Sequence, residues 1–216
     1  MHTGQQFLCA FVVLSSLLGS ASSLAGGDGE DGVVGNDPEI EAYIYCLENS
    51  EGMGNDVFAK AASDILARID RLDEHDLFSI VVYDSEVSAF PPEENPTEPT
   101  LETRDAARSF LDGFNRGTSA CAREALIKSV HMLERARHDS ARRVVVEWYL
   151  NGDTSCSSEG DYSTYISETA AAVKDANWFR SPINTSRFGE TNGLGNVFGK
   201  TIPQQNGGTF ATIPSD

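Results

Sequence analysis

The sequence predicts a doubly wound α/β fold, and three observations carry that expectation. Apolar runs such as AYIYCL at Ala42–Leu47 and VVVEWYL at Val144–Leu150 have the length and continuity of strands buried on both faces. Between them lie stretches whose apolar residues recur every three or four positions, and the alternation of the two patterns is that of a sheet covered by helices on both sides. At 216 residues the chain also suits one domain with a sizeable core.

The elements follow in order. The strand at Ala42–Leu47 runs into a polar turn, CLENSEGMG, and then into a helix whose face is marked by Phe58, Ala61, Ala62, Ile65, Ile69 and Leu72, with Asn55 or Asp56 as its expected N-cap. Leu77–Tyr83 (LFSIVVY) reads as the second strand. Asp84-Ser85 leads to a short third strand, Val87–Phe90, which Pro91-Pro92 stops, so it is expected antiparallel and at the sheet edge. Its exit loop, PPEENPTEPT, is Pro-rich, acidic and expected to be exposed. Ala107, Phe110, Leu111 and Phe114 mark one helix; Ala122, Leu126, Val130 and Leu133 mark the next. Val144–Leu150 is the central strand, and Glu147 within it needs either a covered periphery or an Arg partner, because an unpaired buried carboxylate is costly. Tyr162, Ile166, Ala170 and Val173 define a further helix. Ile183–Phe188 reads as a strand, Leu194–Ile202 as a weak helix, and Thr209–Ile213 as a last strand after the Asn206-Gly207-Gly208 turn.

Ahead of these elements, Phe7–Leu18 is a short apolar run followed by small residues ending Ser23-Leu24-Ala25, so residues 1–25 are expected to be a signal peptide and the protein to be exported, to the periplasm or the extracellular space. The run is too short to span a bilayer comfortably, and no membrane span is expected in the mature chain. Residues 26–36 form a Gly- and acid-rich lead, and the domain is expected over 37–216. The net charge of -17 falls wholly outside residues 1–25 and argues against a nucleic-acid partner, whose phosphates need Lys and Arg. His75, His131 and His138 are scattered without zinc-site spacing. Gly193-x-Gly195 departs from a dinucleotide fingerprint, and the Asn184-Thr185-Ser186 sequon falls inside a predicted strand.

Ligands of doubly wound sheets gather at the carboxyl edge, where strand order reverses. The loops expected there are Glu48–Gly54, Asn115–Cys121 and 151–160. At these loops the chain resembles a von Willebrand factor type A domain, in six stretches in family order. YCLENSEGM resembles the first strand with its Asp-x-Ser-x-Ser turn, DLFSIVVYDSEVSAF the second and edge strands, and FLDGFNRGTSACAREAL the loop bearing a Thr before a helix. VVVEWYLNGDTSC resembles the central strand ending in Asp-Gly, and INTSRFG and QQNGGTFATI the last two strands.

The resemblance implies a Rossmann-like sheet of six mostly parallel strands with one antiparallel edge, and a metal-ion-dependent adhesion site at its carboxyl edge. The cation ligands of the family fall on Glu48, Ser50, Gly52, Thr118 and Asn151, of which only Ser50 and Thr118 keep the expected type. Magnesium asks for near-ideal octahedral oxygen geometry, usually with one or two carboxylates. Glu48 adds a methylene, Gly52 removes a hydroxyl and Asn151 removes a charge, so the site is expected to be altered and weak or lost. Glu51 and Asp153 are the carboxylates that could rebuild it, for calcium more readily than for magnesium. Ser50 and Thr118 also have a local reading, as turn residues that satisfy backbone groups.

The same resemblance brings Cys121 and Cys156 to one corner, where they are disulfide candidates, with Cys46 left as a buried thiol; three unpaired cysteines are the alternative. Together these points imply an exported binding or adhesion module that meets an unknown protein or extracellular ligand at the sheet edge, not an enzyme. Two alternatives stand beside it: a hydrolase using Ser50 or Ser85 with a distant His, and a structural component of an envelope assembly.

Overall fold

A computed structural model describes residues 39–139, 141–151, 156, 161–189 and 194–214. The expected signal peptide and lead lie outside the described residues. The elements are β1 (Glu41–Glu48), α1 (Asn55–Ile69), β2 (Leu77–Tyr83), β3 (Val87–Phe90), α2 (Leu101–Asp112), α3 (Ala122–His138), β4 (Arg143–Leu150), α4 (Tyr162–Ala176), β5 (Ile183–Phe188), α5 (Leu194–Gln205) and β6 (Phe210–Ile213). The strands form one sheet in the order β3-β2-β1-β4-β5-β6, parallel throughout except for the antiparallel pair β2 and β3. Strand order therefore runs outward from β1 in one direction and from β4 in the other. The reversal lies between β1 and β4.

Alternation along the central strands divides the core in two. Ile44 and Cys46 of β1, Val81 and Tyr83 of β2, and Val146 and Trp148 of β4 face α3, α4 and α5. Tyr45, Leu47, Ile80, Val82 and Tyr149 face α1 and α2 on the other side. Both faces of these strands are thus covered, which is why their sequences read as continuous apolar runs. Trp148 anchors the first layer: its ring meets Phe198 of α5 edge-on at 5.1 Å, and its Nε1–H donates to the Tyr83 hydroxyl at 2.9 Å. Burial, and then the charge of Glu48, keep the Tyr83 phenol neutral by holding its pKa well above the ordinary value. Cys46 is a buried free thiol whose pKa burial pushes up to about 12.

The polar residues inside strands have local partners. Glu147 is half-buried on the interior strand β4 and accepts from Asn184 Nδ2 at 2.9 Å, which supplies a polar partner without an Arg. Asn184 in turn accepts from the Thr209 N–H at 2.9 Å, so its side chain ties β4, β5 and the entry to β6 together.

Two expectations need correction. The N-cap of α1 is Gly54, with Asn55 already helical, because the 3-10 turn Glu51–Met53 delivers the chain through Gly54 at φ 69°, a left-handed conformation that favours glycine. The α2 cap is of the side-chain kind: Thr100 accepts from the Thr103 N–H at 3.2 Å. The second correction concerns the loop after β3, which is docked and only partly exposed. Thr97 and Phe78 exchange two backbone hydrogen bonds of 2.9 Å, Pro99 is buried, and Glu94 receives Lys128 Nζ at 2.6 Å with Arg135 Nη2 at 3.8 Å. Sequence composition could not show a bridge to a strand so far away in the chain.

The hydrogen bond from Lys128 and the nearby positive charges hold the Glu94 carboxyl below its ordinary pKa. A carboxyl lowered by folding adds stability above its unfolded pKa and gives it up as pH falls through the folded value. Thermal melts of the wild type and of Glu94→Gln should therefore differ most at neutral pH, with the wild type higher. The gap should close as pH drops through the carboxylate range, and a gap that is constant with pH would reject the role of Glu94.

Candidate functional site

The reversal of strand order places the carboxyl ends of β1, β2 and β4 side by side. Glu48, the last residue of β1, is 0% exposed. A buried carboxylate demands donors, and both of its oxygens have them: Oε1 accepts from the Ser50 hydroxyl and Oε2 from the Asn151 N–H at 3.0 Å. Asn151 then donates from Nδ2 to the Gly52 carbonyl at 2.8 Å. The exits of β1 and β4 are thereby locked together around one negative charge.

Asn49 does the same for the exit of β2 and for the loop between α2 and α3. It is 0% exposed, and its Nδ2 donates to Asp84 Oδ2 at 3.0 Å and to the Asn115 carbonyl at 2.7 Å. Its backbone N–H donates to the Tyr83 carbonyl at 2.7 Å, its carbonyl accepts from the Gly117 N–H at 2.9 Å, and the Glu51 N–H returns to the Gly117 carbonyl at 2.6 Å. Ser50 and Gly117 thus form a parallel bridge beyond the sheet proper. A Cβ on Gly117 would lie 2.3 Å from the Asp84 Cβ, so only glycine fits this approach. The Asp84 carbonyl accepts from the Cys121 N–H at 2.7 Å at the start of α3, and Cys121 is disulfide-bonded to Cys156. Four loops are tied in series.

Of the residues expected at the site, Glu48, Ser50, Gly52 and Asn151 come together. Thr118 is exposed, and among the described residues no hydrogen bond joins its side chain to Glu48, Ser50 or Asn151. Glu51 is exposed and enters the network only through its backbone. Asp153 lies outside the described residues. Among the described residues, the ligands expected from the family present no free carboxylate oxygen of the kind magnesium usually takes. Both Glu48 oxygens are engaged by protein donors, and the remaining oxygens of Ser50, Thr118 and Asn151 are neutral. Among the described residues no group of three or more His, Cys, Asp or Glu side chains could hold a metal ion.

For the hydrolase alternative, the Ser50 hydroxyl donates to Glu48, and Ser85 Oγ donates to Asp84 Oδ1 at 3.3 Å. Nucleophile and base need mutual hydrogen-bond reach. His75 precedes β2 and His138 ends α3, which places both at the opposite, amino edge of the strands.

Sequence reasoning missed Asn49, Asp84, Gly117 and Arg116. The polar turn and the Asn-Arg-Gly string are visible in sequence, but their partners come from other loops. The Arg116 guanidinium lies 3.5 Å from the centroid of the Phe58 ring on α1, a contact that no local pattern announces.

Comparison with solved structures bears on the fold. A von Willebrand factor type A protein from Catenulispora acidiphila superposes with a TM-score of 0.65 at 15% identity, over 81% of this chain and 39% of that one. The fold is that of a von Willebrand factor type A domain. The VWA2 paralog of ArnB from Sulfolobus acidocaldarius superposes with a TM-score of 0.53 at 15% identity, over 81% of this chain and 41% of that one. The pilus adhesin SpaC from Lactobacillus rhamnosus GG, in its open conformation, gives 0.63 at 8% identity, over 81% and 28%. This type A fold thus spans about two fifths or less of each of these proteins. No family model and no curated protein sequence matches the chain.

Three measurements check this edge. Protein beginning after residue 25 should show one reactive thiol when denatured without reductant, from Cys46; three would remove the disulfide. Reduction should lower stability by about 2–4 kcal/mol, the chain-entropy scale for a bridge with a sequence separation of 35. Ser50→Ala should cost about 1–3 kcal/mol in urea denaturation by leaving a buried carboxylate oxygen short of a donor. Gly117→Ala should cost about 1–3 kcal/mol by overpacking against Asp84. Loss of less than about 0.5 kcal/mol in both variants would mean that the edge is not held as described.

Proposed function

We propose that this domain is an exported binding module that engages a protein or extracellular ligand at the carboxyl edge of its sheet without a resident cation and without catalysis. The observation that carries this reading is the buried Glu48 carboxylate, which Ser50 and Asn151 satisfy from within the protein. A cation is then not required to hold the edge loops, and the charge of Glu48 is not offered to one.

Two further points support the reading. A structural neighbour over 81% of this chain is named as a pilus adhesin, and the binding role proposed here is carried over from that name. The disulfide between Cys121 and Cys156 suits an oxidising compartment such as the periplasm or the extracellular space. The described residues contain no helix long and apolar enough to cross a membrane.

Calorimetric titration of chelator-treated protein with magnesium, manganese and calcium should give no one-to-one binding at millimolar cation. Saturable binding weakened by Ser50→Ala and Thr118→Ala would replace this reading with a working adhesion-type metal site. A photo-crosslinking residue at exposed Thr118 should trap a partner from native extracts in the presence of chelator, whereas one at Glu74, at the opposite edge, should not. Equal trapping at both positions, or trapping only with added cation, would overturn the proposed edge.

A further inference from the structure

Between α1 and α2 lies a groove of about 380 Å³ whose walls include Phe58, Leu66, Leu111 and Phe114. Phe114 is held in place by an edge-on contact with Phe110 at 4.9 Å. Arg116 enters this apolar setting from the loop that carries Gly117 and Thr118, with its guanidinium over the Phe58 ring at 3.5 Å. Its Nε and Nη1 are buried and have no hydrogen-bond partner. Asp112 lines the same groove, yet among the described residues no ion pair joins it to Arg116. Burial alone, with no carboxylate opposing it, holds the guanidinium below its ordinary pKa.

The chain carries 33 acidic and 16 Lys or Arg residues, so carboxylates to pair with an arginine are plentiful. Two guanidinium nitrogens withdrawn from water without an acceptor, on a side chain that is otherwise partly exposed, are costly in the free protein. The cost is recovered when a ligand supplies the missing anion in a geometry that water cannot match.

We propose that the α1–α2 groove docks a partner polypeptide through an apolar side chain placed beside a carboxylate, the side chain filling the Phe58–Phe114 walls and the carboxylate pairing with Arg116. Charge sets the rest of the partner's chemistry. A protein of net charge -17 repels polyanions at long range, so the partner is neutral or basic overall and offers its carboxylate singly. The same argument disfavours a phosphate-rich ligand, which would bring two charges to a groove that also holds Asp112. The proposal rests on the binding-module reading for the existence of a partner, and adds the place and the chemistry of one contact.

The test uses 3-phenylpropanoate as the probe, followed by NMR of the Arg116 Nε–H signal and the Phe58 and Phe114 ring signals in the whole domain. Saturable shifts of all three are expected. The neutral amide, 3-phenylpropanamide, should need about tenfold higher concentration for the same shifts, the scale of one charge-assisted hydrogen bond. Arg116→Gln should abolish the preference for the carboxylate, and Arg116→Lys, which keeps the charge, should retain part of it; one-dimensional spectra of both variants report whether the core is intact. No saturable shift, equal binding of acid and amide, or an undiminished preference in Arg116→Gln would overturn the assignment. So would inorganic phosphate matching 3-phenylpropanoate, which would make the groove a general anion site. A failed probe removes the groove without touching crosslinking at Thr118, and a failed crosslink leaves the probe result standing.

Discussion

The carboxylate of Glu48 is the constraint on which the edge of this structure depends. It ends the central strand β1, at the reversal of strand order, with no exposure to water. A charge in that position must be met by donors from within the protein. The Ser50 hydroxyl and the Asn151 N–H meet it, and in doing so they fix the turn after β1 and the exit of β4. Asn49, the next residue, extends the same logic by holding Asp84 and Asn115 with one amide group. Two adjacent polar side chains therefore organise loops that come from four places in the sequence.

On the proposed reading, this arrangement keeps the place of a cation site in a type A fold while changing its chemistry. Glu48, Gly52 and Asn151 fit one another. The Glu48 carboxylate reaches the donors around it, and the amide of Asn151 closes onto the carbonyl of Gly52. Hydrogen bonds among these residues join the turn after β1 to the exit of β4.

The strands and the class of fold were legible in the sequence because burial on both faces writes itself into a strand as a continuous apolar run. β2, β3 and β5 have the predicted limits, and β1 and β4 differ by a residue at their ends. Fine features escaped for a common reason. The N-cap of α1 moved to Gly54 because a 3-10 turn intervenes, and the Pro-rich loop is docked because Thr97 finds Phe78 across the sheet edge. Glu48, Ser50 and Asn151 were identifiable from the resemblance to a known family, whereas Arg116 was not, since its setting is made by Phe58 of a different element. Position within a pattern can be read locally, but the partner of a polar group in a loop is a property of the tertiary structure.

The serial tying of the four loops has a consequence for the speed and cost of recognition. Loops that must be ordered on contact lose conformational entropy, about 0.5–1.5 kcal/mol for each immobilised side chain, and slow association when rearrangement comes first. Here the backbones of Asn49, Glu51, Gly117 and Cys121 already donate to fixed acceptors, and the disulfide anchors the start of α3 to Cys156. On the proposed reading, a partner meeting the described part of this rim encounters a surface close to its bound shape. Differences in affinity among related ligands should then be expressed mainly in how long each complex lasts, with encounter rates set by charge.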